Sequence, residues 1–177
     1  AGGDSLFIDS TRAANTLTGV LTNAGLTGLD MLKGLEYTAV ENLQVSLGPS
    51  RNEFTIASTH SGNTVLTTSD NVDTIHIQST AGNTVVNTGA GADVTNVKAI
   101  GAATTINSGA DADTINIGST APDANGNVNA ISALLTVNGQ DGSDTVNVND
   151  TSDTSGNTGN LTGTALTGLG MSAGITY

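Results

Sequence analysis

The chain has 177 residues and a net charge of −12, with only four basic residues, Arg12, Lys33, Arg51 and Lys98; it cannot assemble the basic patch that nucleic acid requires. There is no Cys or Trp, and only two Phe and two Tyr, which excludes a disulfide framework and an aromatic-rich core. Gly, Thr, Asn, Ser and Asp dominate instead, a composition suited to short strands joined by tight turns and poor in helix formers. No run of about 18 apolar residues is present, so no membrane insertion is predicted. The chain opens at Ala1 without a signal-peptide pattern, which reads as a processed chain or a piece of a longer one. The absence of Cys is in keeping with an extracellular bacterial protein.

In chain order, AGGDSLFIDS (1–10) alternates Leu6 and Ile8 with Ser5, Phe7 and Asp9, the period-two pattern of a half-buried strand. Residues 11–40 are short apolar pieces separated by Gly, read as irregular or shorter coils with a brief helical turn around Leu29–Leu35. From residue 41 a rhythm sets in. ENLQVSLGPSRNEFTIAST supplies Leu43, Val45, Phe54 and Ile56, with a turn through Gly48-Pro49. SGNTVLTTSDNVDTIHIQST, AGNTVVNTGAGADVTNVKAI and GAATTINSGADADTINIGST (61–120) then align without a gap at a spacing of twenty residues. Asp73, Asp93 and Asp113 form one column, held by Asn52 in the preceding coil, and Leu66, Val86 and Ile106 form another. An insertion at 121–130, APDANGNVNA, is predicted to bulge as a surface loop. The rhythm resumes at LLTVNGQDGSDTVNVND with Val137 and Asp144.

A longer period overlies the short one. GSDTVNVNDT (142–151) matches GGDSLFIDST (2–11), LTGLGM (166–171) matches LTGLDM (26–31), and Tyr177 matches Tyr37, all at an offset of 140. Between these anchors LTG (161–163) pairs with LTG (17–19) at 144, implying a small insertion and a compensating deletion. The chain is thus a single segment, one tandem unit of about 140 residues plus the start of the next at about 141–177.

Repetition at twenty residues predicts an all-β fold, a right-handed parallel β-solenoid in which each coil buries its apolar face by stacking on its neighbours. Leu66, Val86, Ile106 and Val137 are predicted to point inward from one strand. Ile75 and Ile77, Thr95 and Val97, Ile115 and Ile117, and Val146 and Val148 do so from the other. Thr67, Asn87, Asn107 and Asn138 face out, where in-register amides can hydrogen-bond along the stack.

The column of Asp73, Asp93 and Asp113 stacks at about 5 Å along one edge, with Asp70, Asp111 and Asp141 adding charge and Asp4 and Asp144 at the same position one unit apart. Neighbouring pairs repel by roughly 3 kcal/mol at an effective dielectric of 20, and by under about 1 kcal/mol in water. A hard cation with oxygen ligands, Ca2+ above all, relieves this; the plainer reading is that each Asp caps its own turn and splays into water. His60 and His76, sixteen apart without Cys or a third ligand, make a poor zinc pair. The sequons Asn149-Asp150-Thr151 and Asn160-Leu161-Thr162 are ascribed to chance.

The turns TGAGAD (88–93), SGADAD (108–113) and NGQDGSD (138–144) resemble the nonapeptide G-G-x-G-x-D-x-U-x of RTX calcium-binding β-rolls. Gly89, Gly91 and Asp93 match it best, Thr88 departs at the first glycine, and Asp111 stands at the second. ENLQVSLG and LTVNGQDGSDTVNVND resemble the calcium-binding β-strand repeats of very large bacterial surface proteins. The resemblance implies a calcium site at the Gly/Asp turns and a cell-surface or extracellular location.

The sequence is therefore read as a non-enzymatic structural segment of a fibre, stalk or surface layer, its partners being neighbouring copies of the same repeat. An adhesin-type module gripping carbohydrate or a surface through 121–130 is the alternative. A polysaccharide-acting enzyme and an ice-binding solenoid fit less well, the first for lack of basic and aromatic groups and the second for its mixed outward columns.

Overall fold

A computed structural model describes residues 3–177, and among them every regular element is a β-strand. In chain order these are β1 (Ser5–Asp9), β2 (Thr18–Leu21), β3 (Gly25–Gly28), β4 (Leu35–Glu36), β5 (Asn42–Ser46) and β6 (Glu53–Ile56). Then come β7 (Asn63–Thr67), β8 (Thr74–Ile77), β9 (Thr84–Asn87), β10 (Val94–Val97), β11 (Thr104–Asn107) and β12 (Thr114–Ile117). The last are β13 (Leu134–Asn138), β14 (Thr145–Val148), β15 (Gly159–Leu161), β16 (Ala165–Gly168) and β17 (Gly174–Thr176).

They form two sheets, mostly parallel. The first runs β1-β5-β7-β9-β11-β13-β17-β16-β15 and the second β14-β12-β10-β8-β6-β2-β3-β4. From β5 to β14 consecutive strands go alternately to one sheet and the other, so each strand pairs with the next but one. The register follows the sequence period: Thr64 faces Thr84 and Thr84 faces Thr104 in the first sheet, and Thr74, Val94 and Thr114 stand in line in the second. After the insertion the offset becomes 31, with Ile106 on Val137 and Ile115 on Val146, and the stacking is undisturbed.

The core lies between the sheets. Leu43, Val45, Leu66, Val86, Ile106, Leu135 and Val137 enter from the first, and Phe54, Ile56, Ile75, Ile77, Val97, Ile115 and Ile117 from the second, all buried. Each such side chain contributes about 1.5–3 kcal/mol when fully buried, which explains how a chain nearly devoid of aromatics holds a core. The inward and outward assignments made from the sequence agree with this placement.

Three expectations need correction. The helical turn around Leu29–Leu35 is absent. The sequence there makes β2-β3-β4, an antiparallel meander whose β3–β4 turn has Gly28, Leu29 and Asp30 at φ of 82°, 51° and 60°, a left-handed run that no α-helix contains. The second correction concerns the long period. Gly159 pairs with Gly168 and Leu161 with Leu166, as Gly19 pairs with Gly28 and Leu21 with Leu26. The offset is 140 throughout, with no compensating insertion; the LTG match at 144 is accidental. The third concerns the insertion, of which Pro122–Asn125 and Asn129 are exposed while the rest is wholly or partly buried. Val128 is wholly buried, as is Ile131, which bridges to Ile100. The Gly126 and Val128 amides donate to Asn149 Oδ1 at 3.1 Å and Asp150 Oδ1 at 3.2 Å.

No helix among the described residues is long and apolar enough to cross a membrane.

Candidate functional site

The residues that precede β6, β8, β10, β12 and β14 are Asn52, Asp73, Asp93, Asp113 and Asp144. Parallel stacking of those strands brings them into one row. Each carboxylate accepts, through Oδ1, the backbone N–H of the row member one repeat earlier. Asn52 N–H donates to Asp73 at 2.6 Å, Asp73 N–H to Asp93 at 2.7 Å, Asp93 N–H to Asp113 at 2.8 Å, and Asp113 N–H to Asp144 at 3.0 Å. Asn52 starts the row, its amide group donating to the Gly48 and Ser50 carbonyls and to Asp73 Oδ1.

The row is buried: Asp73, Asp93 and Asp113 are at most 2% exposed. The plainer sequence reading expected each Asp to cap its own turn and splay into water. The structure has each one cap the neighbouring turn from inside. The Gly/Asp turns stack directly on one another, Gly91 N–H donating to the Ala110 carbonyl and Ala110 N–H to the Gly89 carbonyl, and the residue just ahead of each strand is enclosed within that stack.

Capping engages one oxygen only. Oδ2 of Asp73, Asp93 and Asp113 is buried without a hydrogen-bond partner. The Thr68 and Thr88 hydroxyls on the same turns are committed along the stack, donating to the Thr88 carbonyl at 2.9 Å and the Ser108 carbonyl at 2.6 Å. A buried, half-satisfied carboxylate disfavours its charged form. Burial pushes Asp93 up to about 7 and Asp113 up to about 6, and it raises Asp73 as well. The capped amides pull the other way, and repulsion from row neighbours adds to the rise at Asp93 and Asp113.

The other predicted site residues divide by position. Asp70, Asp111 and Asp141 sit exposed at the turn tips, outside the row. Gly89 and Gly91 have φ of 98° and 131°, and a Cβ at Gly89 would come within 2.1 Å of the Ser69 carbonyl. These glycines are thus required by the close approach of stacked turns. Asp111, at the second glycine position, adopts φ of 81°, as Asn71 does at 75° one repeat back from Gly91, a conformation Asn and Asp tolerate better than other side chains.

Asp4 does not join Asp144. It precedes β1, which stacks on β5 in the first sheet, whereas Asp144 precedes β14 in the second. Asp4 is exposed, and its N–H donates to Glu41 Oε2 at 2.6 Å. His60 packs edge-on against Tyr37, and His76 faces outward on β8 with Nε2 3.8 Å from Glu53 Oε1. Among the described residues no three His, Asp or Glu side chains gather around a common point. A cation on the row would therefore use one carboxylate per turn, completed by main-chain carbonyls.

Sequence reasoning missed the second axial row, Thr68, Thr88 and Ser108, all buried. Its signal was a hydroxyl column five residues ahead of the Asp column. Two outer amide rows run the same way. Asn138 donates to Asn107 and Asn107 to Asn87, both at 2.7 Å; Asn147 donates to Asn116 and Asn116 to Asn96, both at 2.9 Å.

Comparison with protein-family models, curated proteins and solved structures returns no match.

Proposed function

We propose that the chain is a rigid structural segment of an extracellular tandem-repeat fibre, stalk or surface layer, built as a right-handed parallel β-solenoid. The observation that carries this reading is the direction of its bonding. Strand ladders, Asp and Thr rows and Asn rows all run from one repeat to the next, with polar side chains bonded to their counterparts twenty residues on. Such bonding gives stiffness along one axis, and length is set by repeat number.

The resemblance to calcium-binding surface repeats supports this reading, as does the donor chemistry. The orphaned Oδ2 atoms of Asp73, Asp93 and Asp113 lack a positively charged or donating partner. Ca2+ with Gly-turn carbonyls would supply one, and so would a proton. Calcium titration at pH 8 against a chelator control separates them. A raised melting temperature is expected with calcium; an unchanged one leaves the proton as the row's partner.

Electron microscopy of the native material tests the function itself. A thin smooth fibre is expected, and discrete globules would contradict the reading.

A further inference from the structure

The segment 141–177 repeats 1–37 at a constant offset of 140, yet the two copies are packed on opposite sides. In the first copy β1 pairs with β5, and β2 pairs with β6. In the second copy β14, the counterpart of β1, pairs with β12, and β17, the counterpart of β4, pairs with β13. The hairpin pairings within each copy recur, but no pairing to the rest of the chain is used twice. The edges are opposite as well. Ser10 N–H donates to the Ser46 carbonyl from β1, whereas the Thr145 and Asn149 amides donate to β12; in first-copy numbering these are positions 10, 5 and 9, alternate amides that point to opposite sides of a strand.

Burial tells the same story. Leu21, Leu26 and Leu29 are buried in the first copy, where β2 pairs with β6 and Leu21 stands beside Ile56. Their counterparts Leu161, Leu166 and Leu169 are not, and Leu161 is 70% exposed. Val146, Val148, Leu161, Leu166, Ile175 and Tyr177 line an open apolar cleft of about 200 Å³.

We propose that this cleft and the free edges of β14 and β15 receive the β5–β6 segment of another copy of the unit. Leu43, Val45, Phe54 and Ile56 then fill the cleft as they do against Leu6, Ile8, Leu21 and Leu26. The registers follow from the first copy: Gln44 comes to lie beside Asn147, and Thr55 beside Asn160. The two sheets exchange roles at each such junction, because β14 belongs to the second sheet and β5 to the first. One wall gains three intervening strands and the other gains one. The difference is two strand spacings, about 10 Å, so the axis bends at the junction, and the next junction bends it back.

The inference rests on the fibre reading above, and its test separates the two. Residues 1–177 are joined to residues 38–177 to make a two-unit chain, in which the first 141–177 segment is internal, and its hydrogen exchange is compared with that of the single chain. In the internal copies of β14 and β15, amides that exchange freely in the single chain should be protected roughly 100-fold or more, while the terminal copies stay fast. Leu161→Asp should leave the melting temperature of the single chain unchanged and lower that of the two-unit chain when placed in the internal copy; Leu21→Asp should lower both. Fast exchange in the internal copies within an extended rod overturns the junction alone, and two unconnected compact bodies in solution overturn both readings.

Discussion

Asp93 decides what the buried row is for. Its folded-state carboxyl is raised to about 7, against an ordinary value of 3.8, so the folded chain holds this proton more tightly than the unfolded one. Stability from that proton is fully present below pH ~4 and is lost as pH rises through about 6 to 7. The melting temperature should therefore fall between pH 5 and pH 8 in chelator. Asp93→Asn keeps Oδ1 for the Asp73 amide and places a donor where Oδ2 lacks one, as Asn52 already does at the head of the row. In chelator that variant should be at least as stable as the parent at pH 8, with a flatter pH profile. Asp93→Ala removes the acceptor and should cost about 1–3 kcal/mol at pH 5 by chemical denaturation. If Asp93→Asn is the more damaging of the two at pH 8, the row works as a carboxylate cage and not as a capping ladder. The Asp column is legible in the sequence, because repetition alone picks it out. Its burial is not, since a turn residue is expected to face water and only the stacked backbone closes that route.

Among the elements, the glycine turns set the stacking distance. A Cβ at Gly109 would stand 1.7 Å from the Gly89 carbonyl, and Gly109 has φ of 101°. Gly109→Ala should lose well over 1 kcal/mol, visible as a lower denaturation midpoint. Asp111→Gly, at a position already left-handed, should be neutral or mildly stabilising. Equal effects from the two would mean the turns do not stack closely. The regular strands were readable because inward Val, Ile and Leu alternate with outward Asn and Thr at period two, from Leu43 to Val148. The meander β2-β3-β4 was not. Its pieces are too short to show a period, and Leu29 and Asp30 take a left-handed conformation that no composition rule announces.

At the scale of the whole molecule, the strand ladders and the Asp, Thr and Asn rows all bond along one axis. The 140-residue period was legible from matching residues alone, but its gapless alignment emerged only from strand pairing, where Gly159 occupies the place of Gly19. Exchange of the two walls between units could not be read from sequence, since it depends on which edge of β14 is used. A unit contributes six or seven strands to each wall, so each should add on the order of 30 Å. Small-angle scattering from chains of one, two and three units tests this most directly. The expected result is a maximum dimension that grows by about that increment per unit at a constant cross-section. A cross-section that widens with each added unit would contradict it.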